Sequence, residues 1–432
     1  MGNKQGATFL DPQSSTPQFS YNRESVLCCE RVSLAAIAER VGTPAYIYSR
    51  AAFAGAYRRF RRAMRGLPHT ICYAVKANSN LAILREFARM GSNFDIVSGG
   101  ELYRLQRIGV PGKRIVFSGV GKTREEIRDA LRARILLFNV ESAAELELLA
   151  GEAARLRRVA PVAIRVNPDI EAGGHPHIAT GHHRHKFGVD WPEARRLYLF
   201  YLDSLWINWQ GISAHIGSQI ASLRPFRSAA TRLAGYFRML SRAGIALRYL
   251  DFGGGLGIRY TNEDPPTMEA FARLARRAFA SLGCQVLFEP GRALIGPAGI
   301  LLTRVLYSKT SRGKTFVVVD AAMNDLIRPA LYGAAHPITP IMRPPRDAQT
   351  ERVDIVGPVC ESGDAFLHNW PMPEVKSNDL LAIWGAGAYG FVESSNYNSR
   401  PRAPEVLVTG NRFGVVRSRE SHSDLIRGEK IR

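Results

Sequence analysis

Thr70-Ile-Cys-Tyr-Ala-Val-Lys-Ala-Asn78 is the stretch that decides the fold. Thr70–Ala74 is a β-branched, aromatic and small apolar run of strand character. It ends on polar Lys76 and Asn78, and Leu81–Met90 then sets apolar residues at helical spacing. The same couplet recurs down the chain. Strands are predicted at Phe94–Val97, Arg114–Ser118, Ile135–Val140, Val162–Asn167, Gly211–Ile216, Tyr249–Phe252 and Val286–Glu289. Amphipathic helices are predicted at Glu101–Ile108, Arg124–Ala133, Ala143–Arg157, Phe226–Ala243 and Met268–Leu282. Strand–helix alternation implies parallel strands joined by right-handed crossovers. Eight units in about 250 residues suit a closed (β/α)8 barrel better than an open sheet; the barrel is predicted over 49–296.

After Pro297 the texture changes. Arg304–Tyr307, Thr315–Val319, Arg352–Val356, Leu380–Trp384 and Glu405–Val408 read as strands separated by Pro- and Gly-rich turns. Upstream, Ala35–Arg40 reads as helix and Ala45–Tyr48 as a strand belonging with this second, β-rich domain. The expectation is therefore an α/β chain: a (β/α)8 barrel, followed by a C-terminal β-rich domain (297–432) that also takes in the N-terminal segment 19–48.

Composition narrows the class. The 432 residues are 46% apolar and 22% charged, which describes a globular protein rather than a disordered or membrane-embedded one. The formal charge is +20, which raises the question of nucleic acid. Only nine of the 58 basic residues are lysines; the arginines are scattered along helical stretches such as Tyr57–Arg65 and Arg273–Arg277, without a basic block or alternating aromatics. They read as solvated helix faces, and neither a nucleic-acid nor a membrane partner is expected. Five cysteines without a CxxC pair suggest neither a disulfide framework nor a zinc knuckle, so a reducing cytoplasm is expected. Met1–Ser20 is polar and unlike a signal peptide, and Gly6 stands where a myristoylation signal wants Ser or Thr. The most apolar stretch, Leu197–Trp209, carries Asp203 and is too short to span a bilayer.

Barrel enzymes place their chemistry at the C-terminal ends of the strands. There the sequence sets Lys76 and Asn78, Ser98 and Gly99, Gly119, Asn167, His215 and Ser218, Gly253–Gly255, and Glu289 with Arg292. Singly these are weak: Lys76 alone reads more readily as a surface lysine, and His215 reads equally as a core histidine. The apolar approach Ile71-Cys-Tyr-Ala-Val75 favours desolvating Lys76, as a Schiff-base amine requires. Asp251-Phe-Gly-Gly-Gly-Leu-Gly257 fails the dinucleotide fingerprint, because Ile258 stands where its last glycine belongs, but its glycines still admit a phosphate to the backbone. Together, at one mouth, they point to a phosphorylated cofactor captured by a lysine. His175, His177, His182, His183 and His185 read as a loop, and no metal site is expected.

These motifs resemble those of the diaminopimelate decarboxylases, fold type III (alanine racemase-like) pyridoxal-phosphate enzymes. The resemblance runs from Phe19 to Val416 through Tyr73-Ala-Val-Lys-Ala-Asn78, Phe94-Asp-Ile-Val-Ser-Gly-Gly-Glu-Leu102, Arg165-Val-Asn-Pro-Asp169, His215-Ile-Gly-Ser-Gln219, Gly253-Gly-Gly-Leu-Gly257, Glu289-Pro-Gly-Arg292, Cys360-Glu-Ser-Gly-Asp364, Gly387-Ala-Tyr-Gly390 and Ser395-Asn-Tyr-Asn-Ser-Arg-Pro-Arg402. It implies pyridoxal 5'-phosphate held by Lys76, stacked on by His215 and paired at its ring nitrogen with Glu289. Ser218, Gly254, Gly255, Gly291 and Arg292 would surround the phosphate, and Tyr389 would close the pocket. Cys360, Glu361 and Asp364 would reach the cofactor of a partner subunit in a homodimer, with Cys360 protonating the α-carbon.

The implied reaction is decarboxylation of meso-2,6-diaminopimelate to L-lysine, the last step of lysine biosynthesis. Diaminopimelate keeps a carboxylate and an amine at its far end, so its pocket needs a cation as well as an acid. Arg292, Arg328 and Tyr332 are expected on the distal carboxylate and Glu361 on the distal ammonium, with Tyr389 also lining the substrate. An arginine there would be surplus for an ornithine or lysine decarboxylase. The rivals are a sibling decarboxylase for another or a carrier-tethered amino acid, a racemase on the same barrel, a catalytically dead homologue, and a nucleic-acid binder.

Overall fold

The structure, a computed structural model, describes residues 16–171, 186–345 and 347–431. The histidine-rich stretch 175–185 and the polar residues 1–15 lie outside the described residues. Two compact units are present. One comprises Ala56–Ile258 and Asp264–Ala293; the other comprises the described parts of Met1–Gly55, Arg259–Glu263 and Leu294–Arg432.

The first unit is a closed barrel of eight parallel strands in sequence order around the ring: His69–Ala74, Asn93–Ile96, Ile115–Phe117, Leu137–Val140, Ala160–Arg165, Ile207–Ser213, Tyr249–Asp251 and Gln285–Phe288. Val286 paired with His69 closes it. Cys72, Val116, Leu137, Ala163, Tyr249 and Leu287 form a buried cluster drawn from six of these strands, so the interior is a packed core with the chemistry above it.

Helices begin where short polar side chains take the first free N–H groups. Ser98 accepts from Glu101, Ser142 from Glu145 and Ser222 from Arg224, while Thr123 and Glu126 make a reciprocal capping box. Ser98, expected only as a polar group at the mouth, is thus a helix cap.

Two barrel features differ from the sequence reading. Trp191–Phe200 is a helix, capped by Asp190, so the apolar stretch Leu197–Trp209 is a helix end, a turn and the start of a strand. The sixth strand is Ile207–Ser213 rather than Gly211–Ile216. Asn208 and Gln210 interrupt its apolar run, and a register shift between Trp209 and Gly211 against the fifth strand breaks the period.

The second unit is built on a nine-stranded mixed sheet. Its long strand Gly299–Ser311 pairs with Lys314–Val319, Leu380–Ile383 and Ala45–Ser49, the last lying parallel to Glu405–Thr409. The N-terminal strand therefore joins this sheet, as its sequence suggested. Ile338–Pro340, Ala365–Pro373 and Arg412–Arg417 are further strands; each carries a proline, polar residues or a glycine that dilutes the strand signal. Phe19, Leu34, Ile47, Ile300, Leu302, Trp384 and Val406 belong to its core. Among the described residues no helix is long and apolar enough to cross a membrane, and no group of three or more His, Cys, Asp or Glu is placed to hold a metal ion.

Candidate active site

The Lys76 turn follows directly from the first barrel strand. Val75–Ala77 forms one 3-10 turn, and the Ala74 N–H donates to Pro290 O at 3.3 Å, tying the turn to the Glu289-Pro-Gly-Arg292 loop. Gly291 makes this approach possible, since a Cβ there would lie 2.8 Å from Ala77 Cβ and 3.2 Å from Ala74 Cβ. Lys76 Nζ is 2.7 Å from Asp95 Oδ2. Asp95 is fully buried, and its Oδ1 has no hydrogen-bond partner among the described residues.

Glu289 is buried at the end of the eighth strand and accepts from Ser118 Oγ at 3.4 Å. Asn139 Nδ2 donates to Ser118 Oγ at 3.1 Å and to Asp251 Oδ2 at 2.8 Å. Burial pushes the Glu289 carboxyl well above the usual range, and the charges of Asp251 and Asp95 push it further.

His215 stands in the loop after the sixth strand. The Gly254 N–H donates to its Nδ1 at 3.1 Å, which leaves the ring proton on Nε2. Burial holds its pKa well below the ordinary value, with Arg165 and Lys76 adding to the effect, so the ring is neutral. Arg165 also donates to His215 O at 3.4 Å and pairs with Glu141 at 2.9 Å, which in turn accepts from the Gly119 N–H.

Arg292 Nη2 and Nε lie 3.1 and 3.4 Å from Ser218 Oγ, so the two residues meet as a cation and a hydroxyl. Gly255, at φ +102°, passes so close to Gly217 O that a Cβ would sit 2.4 Å from it. Gln219 grips Ile258 by both backbone groups, at 2.6 and 3.1 Å. The residue that breaks the dinucleotide fingerprint is therefore the one that fastens the glycine loop to the His215 loop.

The remaining expected residues lie in the β-rich unit. Cys360 is exposed and its N–H donates to Asn398 Oδ1 at 3.1 Å; Glu361 accepts from Tyr397 OH at 2.9 Å. Asp364 is buried and accepts from the Val359 and Met323 N–H groups, both at 2.7 Å. Its carboxylate shapes the turn that presents Cys360. Arg328 is buried between the rings of Tyr260 and Tyr332, at 5.4 and 5.7 Å, with Nε 3.2 Å from His336 Nε2. Tyr389 is half-buried in the left-handed region at φ +54°.

Residues 51–296 match the family described as pyridoxal-dependent decarboxylase, pyridoxal binding domain. A diaminopimelate decarboxylase from Pseudomonas aeruginosa is 49% identical over 413 residues, covering 96% of this chain and 99% of that protein. The chain belongs to the diaminopimelate decarboxylases. Its structure is similar to that of the Helicobacter pylori diaminopimelate decarboxylase complexed with L-lysine, with a TM-score of 0.88 and 40% identity over 91% of this chain and 98% of that one. It is likewise similar to the M. jannaschii enzyme in co-complex with L-lysine, at a TM-score of 0.91 and 34% identity over 96% and 98%.

The barrel's donor set fits the cofactor of this family. An amine stands at Lys76, a buried carboxyl at Glu289, a neutral imidazole at His215, and a cation with a hydroxyl at Arg292 and Ser218, one group for each functional part of pyridoxal phosphate. Sequence reasoning gave no role to Asp95, Ser118, Asn139, Asp251 or the Arg165–Glu141 pair. Asp95 and Asp251 carried a signal, because a charged residue inside an apolar strand is buried with a partner. The partners, such as Asn139 for Asp251, lie across the barrel and far away in sequence.

Proposed function

We propose that this chain decarboxylates meso-2,6-diaminopimelate to L-lysine and carbon dioxide with pyridoxal 5'-phosphate, the last step of lysine biosynthesis. The observation that carries the reading is the 49% identity to a diaminopimelate decarboxylase across 96% of the chain. Pyridoxal phosphate supplies an electron sink for the negative charge left on carbon when carbon dioxide departs. Lys76 would hold the cofactor through its aldehyde. Glu289 would keep a proton at the ring nitrogen, and neutral His215 would offer the ring an uncharged aromatic face. Ser218, Gly254, Gly255, Gly291 and Arg292 hold the phosphate, with Tyr389 as a further cofactor and substrate ligand.

Cys360 delivers the proton to the α-carbon. Arg292, Arg328 and Tyr332 bind the distal carboxylate, and Glu361 binds the distal ammonium. The enzyme works as a cytoplasmic homodimer, with Cys360 and Glu361 serving the partner subunit's cofactor. Carbon dioxide release from meso-diaminopimelate, lysine, ornithine and arginine tests the reading. Turnover of diaminopimelate alone is expected, and preference for a diamino monocarboxylate would overturn it.

A further inference from the structure

Four polar side chains at the ends of the barrel strands form a hydrogen-bonded chain whose hydrogens can be counted. The Asn139 amide has two N–H bonds, one aimed at Ser118 Oγ at 3.1 Å and the other at Asp251 Oδ2 at 2.8 Å. Ser118, accepting from the amide, has its own hydrogen left to donate, and it lies 3.4 Å from Glu289 Oε1. It ends on two carboxyls, Glu289 and Asp251, at the ends of adjacent barrel strands. Both are buried, where two adjacent anions are strongly disfavoured.

The donors decide which carboxyl carries a proton. Asp251 accepts from the Asn139 amide and from the Gly253 N–H at 3.0 Å, two full hydrogen bonds that stabilise its anion. Glu289 accepts only the longer bond from Ser118 among the described contacts. We propose that Asp251, anchored by Asn139 and Gly253, is a positioning residue that keeps Glu289 protonated and turned toward the barrel centre, so that Glu289 brings its own proton to the cofactor's ring nitrogen.

The surroundings agree in sign. Burial and Asp95 raise both carboxyls, Lys76 opposes this at Glu289, and buried Cys72 beside them stays a neutral thiol. When a basic nitrogen meets Glu289, its O–H bond breaks and an N–H bond forms; the carboxylate gains the charge that the nitrogen balances. No proton need enter from water.

The inference rests on the assignment of Glu289 to the ring nitrogen, and its test separates the two. The full chain is freed of cofactor, labelled with carbon-13 at glutamate carboxyls, and examined by infrared spectroscopy at neutral pH. A protonated glutamic acid band is expected in the wild type and absent from Glu289→Gln. Asp251→Asn removes the charge that adds to burial, so the band is expected to weaken while the circular dichroism is kept. Should that variant misfold, Asn139→Ala is the second: Asp251, deprived of a donor, draws the proton to itself and the glutamate band weakens. A band missing from the wild type, or unchanged in the folded variant, overturns the proposal. Loss of the wild-type band on adding pyridoxal phosphate supports the ring-nitrogen assignment. A band that persists overturns that assignment and, with it, delivery of the proton.

Discussion

Arg328 shows what a single side chain decides. It is buried against Tyr260 and Tyr332, and its Nε donates to His336, whose Nδ1 in turn is 2.8 Å from Trp384 O. L-lysine keeps the distal carboxylate of diaminopimelate, so an arginine that binds this group must hold substrate and product alike. Arg328→Gln is expected to raise the KM for diaminopimelate and the inhibition constant of lysine together, with kcat little changed. Loss of a charged hydrogen bond of about 1.5–3 kcal/mol corresponds to roughly ten- to a hundredfold; steady-state kinetics with lysine as inhibitor measure both. An unchanged lysine constant would refute the specificity argument. Asp325 makes a prediction about pH. Burial, opposed by the Ala322 N–H and Arg400 and aided by Asp320, pushes its carboxyl up to about 7. The folded chain therefore binds more protons there than the unfolded one, and this contribution to stability falls as pH rises from about 4 through 7. Asp325→Asn is expected to flatten that part of the melting-temperature profile. Nothing in the sequence around Asp325 announced this, because burial is a property of the folded neighbours.

At the scale of elements, glycines with similar sequence settings have opposite meanings. Gly291 lies where the last strand's loop touches the Lys76 turn, and a Cβ would overlap Ala77 Cβ at 2.8 Å. Gly151 sits inside the helix Ala143–Leu156 with nothing within 4 Å of the same position. Gly291→Ala is expected to cost about 1–3 kcal/mol and to weaken pyridoxal phosphate binding by displacing the Lys76 turn. Gly151→Ala is expected to stabilise by about 0.5–1 kcal/mol, with cofactor binding unchanged. Thermal melts and cofactor titration distinguish the two, and a Gly291→Ala protein with normal melting and binding would show that the contact is not limiting. The same contrast explains what the sequence made legible. All eight barrel strands were readable because each is a short apolar run, most of them followed by a periodic helix. The helix Trp191–Phe200 and the start of the sixth strand were not, because Leu197–Trp209 is apolar without a single period and its turn lacks glycine and proline. Strands such as Ala365–Pro373 were hidden by their own proline, histidine and asparagine.

For the whole molecule, the charge of +20 is carried mainly by arginine, since only nine of the 58 basic residues are lysines. Several arginines lie on helices in largely exposed pairs with acids three residues away, such as Arg132–Asp129 and Arg196–Glu193, interactions that add little stability in water. The more consequential fact is how the chemistry is divided. Lys76, His215 and Glu289 belong to the barrel unit, whereas Cys360, Glu361 and Arg328 belong to the β-rich unit. If each subunit of a homodimer lends its Cys360 to the partner's Lys76, two different inactive chains can restore one another. Lys76→Ala and Cys360→Ala subunits, mixed equally and allowed to exchange, form mixed dimers as half the population. Each mixed dimer holds one site with both defects and one with neither. Activity should then recover to about a quarter of wild type, the share set by random pairing in a two-fold dimer. Sites completed within one chain give no recovery, because every site then carries one of the two defects. A mass tag on one variant, read by native mass spectrometry, confirms that exchange has produced mixed dimers, so a lack of recovery in that mixture would refute the shared site while leaving the decarboxylase reading intact.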